Sequence, residues 1–222
     1  MKKFGIFSDD IHNIWGRQFH QYRIKQLREI FVNDLKINKN SKILDIGCGS
    51  CIFKDFLSPE ECPNITAFDI TPKISKTHPI HFFIDDAQNP SVNDQFDILY
   101  AGEIIEHLRD PVNAFHNWDK FLKPGGFFVL STPNGMYPDQ FHEHISLLKI
   151  KQVRSLFDRH HYTIIKILGN DLFLPFFNVF TRPLWAAPKL LNKMYEFKFS
   201  LPQHHIFFAK NLVYIAKKNT LE

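Results

Sequence analysis

Short, nearly continuous apolar runs alternate along this chain with longer stretches in which apolar positions recur every three or four residues. Residues 17–35, RQFHQYRIKQLREIFVNDL, set Phe19, Tyr22, Ile24, Leu27, Ile30, Phe31 and Leu35 at such steps and predict an amphipathic helix. Lys42 to Ile46 then places Ile, Leu and Ile around one Asp, as suits a parallel strand buried on both faces. A short helix to Leu57 follows, with further strands expected at 64–69, 79–84 and 96–102. A fifth comes after the turn Lys123-Pro-Gly-Gly126 and ends near Asn134. Leu147 to His160 predicts a second amphipathic helix, 162–168 a sixth strand and 206–217 a last one. This alternation implies an α/β fold, doubly wound around a mostly parallel seven-stranded sheet.

Residues 170–203 break the alternation. They carry Phe173, Phe176, Phe177, Phe180, Trp185, Tyr195, Phe197 and Phe199, interrupted by Pro175, Pro183, Pro188 and Pro202. An aromatic-rich helical cover over the acceptor site is expected, because long insertions in compact domains are often functional lids. A plain helical extension and a dimer contact are the alternatives. Lys189, Lys193 and Lys198 among the apolar residues add a further one, a surface making peripheral membrane contact. The chain thus divides into an N-terminal helical cap (1–40), a core (41–168), the insertion (170–203) and a last strand (204–218), all in one domain over 1–220. Leu221-Glu222 reads as a cloning scar.

Composition narrows the partners only a little. With 222 residues, 44% apolar, the chain can bury one full core. A net charge of +4 without a dense Lys/Arg run does not demand nucleic acid, and none is expected as a partner. The N-terminus lacks the long apolar core of a secretory signal, and no run approaches a membrane span. Three cysteines, an odd number, fit a reducing compartment, so a cytoplasmic protein is expected. Cys48-Gly-Ser-Cys51 imitates a redox pair but sits inside a glycine turn that has another explanation.

That turn is the candidate for chemistry. Gly47 and Gly49 follow the first strand at alternate positions, where missing Cβ atoms let backbone N–H groups approach a ligand. Asp69 ends the second strand twenty residues after Gly49, the offset at which an acid accepts hydrogen bonds from ribose hydroxyls. Nicotinamide dehydrogenases require a further glycine where this chain has Ile52. The run Asp45-Ile-Gly47-Cys-Gly49 instead resembles the glycine loop, Asp-x-Gly-x-Gly-x-Gly, of the class I S-adenosylmethionine-dependent methyltransferases, departing from it at Cys51. Asp86-Ala87, Glu103-Ile-Ile-Glu106-His107-Leu108 and Phe121 to Asn134 extend the resemblance from about Ser41 to about Lys166. It implies an antiparallel last strand and S-adenosyl-L-methionine as cofactor. The implied binding residues are Asp45, Gly47, Cys48, Gly49, Asp69, Ile70, Asp86, Ala87, Gly102 and Glu103, with Asp86 and Ala87 at the adenine amino group.

Methyl transfer needs no protein nucleophile, since holding an acceptor in line can supply roughly 7 to 11 kcal/mol of barrier lowering. A hydroxyl acceptor would use a base, for which histidine is suited. Of twelve histidines, His107, His142 and His144 follow the fourth and fifth strands, on the edge where ligands bind in such sheets. His144 is the first choice for the base and His142 the next, while His107 reads as orienting its loop. His142-Glu-His144 with His107 lacks the spacing of a specific metal signature, so no metal is assigned. The expected activity is methyl transfer to a small apolar or lipid-like acceptor, at oxygen rather than nitrogen. A non-catalytic cofactor-binding module remains open, as does a dehydrogenase using Tyr162 and Lys166; β-branched Thr163, Ile164 and Ile165 argue for a strand there and against the latter. Trp15, Arg17, His20 and Tyr22 either face a substrate or form an ordinary helix surface.

Overall fold

The computed structural model describes residues 4–58, 60, 64–71, 80–137, 141–172, 177, 187–200 and 206–220. Seven strands form one sheet: β1 Ile43–Ile46, β2 Ile65–Asp69, β3 His81–Ile84, β4 Phe96–Gly102, β5 Leu122–Pro133, β6 Tyr162–Leu172 and β7 Ala209–Lys218. Their order is β3-β2-β1-β4-β5-β7-β6, parallel except where β7 runs antiparallel between β5 and β6. The chain winds outward in opposite directions from β1 and β4, so a crevice opens beyond the C-terminal ends of these two strands.

Helix α1 covers Phe4–Arg28 and runs on through a π-helical turn, Glu29–Asp34, so the helix starts well before the expected residue 17. A 3₁₀ turn, Ile52–Asp55, stands where the short helix was expected. Helix α2, Pro111–Asp119, starts at Asp110, whose carboxylate accepts from the Asn113 N–H at 3.0 Å, with Pro111 in the first turn. Helices α3, Ile150–Arg159, and α4, Pro188–Ser200, follow later in the chain.

Side chains alternate across the sheet as a period of two requires. Leu44, Phe68, Leu99 and Phe128 face one layer with Phe115 and Trp118 of α2 and Phe157 of α3. Ile43, Ile98, Tyr100 and Val129 face the other, against Leu27, Ile30 and Phe31 of the first helix and Phe53 of the 3₁₀ turn. The earlier part of α1 forms a separate apolar cluster with α4: Ile14, Leu191, Tyr195 and Phe199 are buried there, with Trp15, Phe19, Tyr22 and Phe177 packed against them.

Three expectations need correction. Lys123-Pro-Gly-Gly126 is not a free turn but an irregularity inside β5, where pairing with β4 jumps from Phe96–Leu122 to Ile98–Phe127 and Gly125 takes φ +78°. β6 continues to Leu172, taking the first residues of the supposed insertion into the sheet. β7 starts only at Ala209, after a 3₁₀ turn at Ile206–Phe208. Phe173, Phe176, Phe180, Trp185 and the terminal Leu221-Glu222 lie outside the described residues. Among those described, no helix is long and apolar enough to cross a membrane.

Candidate functional site

β1 delivers the glycine turn to the crevice. Gly47 has φ +63°, and a Cβ there would stand 2.4 Å from Cγ1 of Ile104, so a side chain is excluded by both conformation and space. Gly49, at φ +54°, has nothing within 4 Å of its would-be Cβ and therefore presents bare backbone to open space. Its N–H donates to Oδ2 of Asp69 at 2.8 Å, while Oδ1 accepts from the Thr71 N–H and hydroxyl at 2.9 Å each. The acid at the end of β2 is thus clamped against the turn. Ile70 beside it is 69% exposed, a large apolar side chain held in water at the crevice. After β3, the Asp86 carboxylate caps the Gln88 N–H at 2.9 Å, and buried Ala87 accepts from the Trp118 indole at 2.8 Å.

Cys51 ends the turn in a left-handed conformation, φ +57°, that costs a non-glycine residue about 1 to 2 kcal/mol. Its side chain is buried and hydrogen-bonds Asp45. Asp45 is 1% exposed beneath the turn, with Oδ2 unpartnered. Burial pushes its carboxyl up to about 7; the thiol hydrogen bond opposes the rise, the Asp69 charge adds to it and Arg23 opposes it.

β4 ends on the other side of the crevice. Gly102 leaves room for the Tyr100 hydroxyl, which would lie 2.2 Å from a Cβ. Glu103 sits at φ +55° with its N–H on the Ser131 carbonyl at 2.9 Å. Glu106 is fully buried: Oε2 accepts from the Thr132 hydroxyl at 3.2 Å and Oε1 has no partner. Burial and the neighbouring Glu103 charge raise its carboxyl well above the usual range. The Glu106 carbonyl accepts from the N–H groups of Ile145 and Ser146, each at 2.9 Å, which fastens the loop after β5 to the loop after β4. His107 Nδ1 lies 3.1 Å from the Glu143 carbonyl, and its ring meets His144 edge-on at 4.8 Å. His142 is exposed, and the ring contact with His107 is made by His144.

α1 supplies a residue that periodicity did not single out. Arg23 donates to the Tyr100 hydroxyl at 3.3 Å and lies in the field of Glu103 and Glu106. Burial works against its charge, but these oxygens outweigh it and hold the guanidinium protonated. Among the side chains proposed for this helix, Trp15 stacks on Phe19 at 5.0 Å, Tyr22 stacks on Phe199 at 5.8 Å, His20 is 3.5 Å from Asp55 and Arg17 is exposed.

Tyr162 and Lys166 do not form a dehydrogenase pair. The Tyr162 hydroxyl donates to Asp119 at 2.8 Å and Lys166 pairs with Asp34 at 2.7 Å, on a strand whose register shifts between Ile164 and Lys166. A cavity of about 160 Å³ lined by Lys42, Thr66, His81, Asp94 and Phe96 lies at the N-terminal ends of the strands, away from the glycine turn.

Residues 16–167 match a family model described as a methyltransferase domain. A ubiquinone biosynthesis O-methyltransferase of Hydrogenovibrio crunogenus is 26% identical over 175 residues, covering 72% of this chain and 71% of that protein. A protein of the same name from Albidiferax ferrireducens is 29% identical over 147 residues, 58% of this chain and 56% of the relative. In fold, the chain is similar to the N-methyltransferase NodS from Bradyrhizobium japonicum, with a TM-score of 0.62 at 17% identity, covering 91% of this chain and 97% of that one.

Proposed function

Because the chain belongs to the methyltransferase-domain family, as a class I S-adenosylmethionine-dependent methyltransferase, we propose that it carries the cofactor's methyl group to a hydroxyl of a small apolar acceptor. The observation that carries the reading is the convergence at one sheet edge of a clamped acid, bare glycine backbone and a histidine pair. The open face of Gly49 admits the cofactor close to the turn, and Asp69, already oriented by Gly49 and Thr71, keeps lone pairs for ribose hydroxyls. Exposed Ile70 offers a flat apolar contact to adenine, with Asp86 and Ala87 at its edge. Asp45 and Cys48 back the turn, and Gly102 and Glu103 close the side towards the methionine end. The positive cofactor is matched by the carboxylates around it.

The acceptor belongs on the His107–His144 side, where the loops after β4 and β5 meet. Both relatives above are named as O-methyltransferases, which supports oxygen over nitrogen. His144 is the side chain we assign to the acceptor's proton. The apolar character of the acceptor is supported by the aromatic cover of α1 and α4, because a charge moved against it must be paired or lose several kcal/mol in desolvation. Assaying transfer of labelled methyl to matched phenols and amines tests the reading. Methylation of phenols is expected; transfer confined to amines would refute it.

A further inference from the structure

We propose that Glu106, His107 and His144 form a binding site for a divalent cation. One ligand atom from each can be chosen so that all three lie within 4.8 Å of one another. Donors bound at ~2.1 Å to one ion stand roughly 3 to 4 Å apart, so the cluster closes around a cation with side-chain shifts of about 1 Å. Two independent features prepare it. Glu106 is fully buried, yet Oε1 has no hydrogen-bond partner, an expensive arrangement that a cation would relieve. His107 places Nδ1 at the Glu143 carbonyl; an N–H there donates to that oxygen and leaves Nε2 with a free lone pair, the way a ligating imidazole is usually held. The loop carrying His144 is fastened to the loop carrying Glu106 by two backbone hydrogen bonds, so the donors are positioned before any ion arrives. Two imidazoles and a carboxylate suit a borderline cation such as Zn²⁺, Mn²⁺ or Co²⁺ and leave coordination positions open.

Open positions at the acceptor edge give the cation a task, which rests on the oxygen reading above. A hydroxyl bound to it loses its proton to solvent more readily. The oxygen lone pair then forms the new bond to the methyl carbon while the carbon–sulfur bond breaks, leaving its electrons on sulfur as neutral S-adenosylhomocysteine. In this arrangement His144 acts on the acceptor's proton indirectly, as a ligand of the cation, in place of taking the proton itself.

Calorimetric titration of the chelator-stripped full chain with Zn²⁺, Mn²⁺ and Co²⁺, with S-adenosylhomocysteine bound, tests the site. One ion per chain is expected, with visible absorption on Co²⁺ loading and affinity reduced at least about tenfold in His144→Ala and Glu106→Gln. His81→Ala, on the opposite edge, should bind as the parent does. Failure of all three cations to saturate the parent chain, or equal binding by His144→Ala, overturns the site. His144→Ala decides alone if Glu106→Gln does not fold. A stripped enzyme that methylates a phenol at the full rate overturns the cation's task while the oxygen reading stands; a cation-loaded enzyme that methylates only amines defeats the oxygen reading while the binding result stands.

Discussion

Asp45→Asn exchanges a buried carboxyl for a neutral group of the same shape, and its consequence can be worked out with sign. The folded carboxyl is pushed up to about 7, chiefly by burial, against about 3.9 in an unfolded chain. Between those values the folded protein holds a proton that the unfolded chain has released. Stability contributed by this group therefore falls as pH rises from about 4 to 7, then stays level. At roughly 1.4 kcal/mol per pH unit, the full loss is on the order of 4 kcal/mol, of which about 2 falls between pH 5 and 7 because the slope halves where the folded group is half ionised. Asn has no proton to release. Urea unfolding of both proteins at pH 5, 6, 7 and 8 should show the variant gaining on the parent by about 2 kcal/mol between pH 5 and 7, with other groups cancelling in the difference. A difference that stays constant with pH would refute the reasoning. The ligand provides a second reading: a sulfonium and an ammonium favour the ionised carboxyl, so S-adenosylmethionine should bind the parent more tightly as pH rises through 7. S-adenosylhomocysteine, lacking the sulfonium charge, should show less of this, and the variant little of it.

Asp69→Ala should weaken S-adenosylhomocysteine at least about tenfold by calorimetry, since hydrogen bonds to a charged group are each worth roughly 1.5 to 3 kcal/mol; unchanged affinity in the folded variant would remove Asp69 from the site. Lys198→Met leaves buried Asp171 without its cation and should cost about 3 to 5 kcal/mol in unfolding experiments. Adding Asp171→Asn should recover most of that loss, and no recovery would show that the pair is not what holds α4. Phe176→Ser with Phe177→Ser should impair turnover of an apolar acceptor while cofactor affinity persists, and a parental rate in the folded double variant would place the acceptor elsewhere. Exposed Leu190 and Phe197, beside Lys189 and Lys193, support contact of α4 with a membrane surface; co-sedimentation with anionic liposomes is expected, and its absence at low salt would argue against it.

The parts of this fold legible in the sequence are those whose signal is local. β4 has the bounds read for it, Phe96–Gly102, because a strand buried on both faces and flanked by polar residues announces both ends. Thr163, Ile164 and Ile165 gave the strand character of β6 against a motif that required a helix. The antiparallel β7 was legible through family resemblance alone, since periodicity does not record strand direction. Lys123-Pro-Gly-Gly126 misled because Pro and Gly mark local breaks, while pairing with β4 on either side carries the strand through. α2 had a readable start in Asp110-Pro111, a capping acid followed by the residue favoured at the first helical position, but its nine residues carry little periodic signal.

The candidate site divides along the same line. Gly47, Gly49 and Asp69 are bound by spacing within one strand-turn-strand unit, so their offsets could be counted. Arg23, Glu106 and Lys198 could not be found that way, because each acquires its role from a partner far along the chain. Arg23 reaches the crevice only because α1 and its π-helical continuation pack Leu27, Ile30 and Phe31 onto the sheet, setting its side chain one turn nearer the strand ends. There its charge acts on three acids, Asp45, Glu103 and Glu106, two of them fully or almost fully buried. Without a nearby cation Asp45 and Glu106 would favour their neutral forms still more strongly. Arg23 lowers that tendency without satisfying Glu106 Oε1, which keeps an unused lone pair beside two imidazoles. A helix that reads as plain amphipathic packing thus also sets the electrostatic balance of the crevice, and only the tertiary contact between α1 and the end of β4 makes that second role visible.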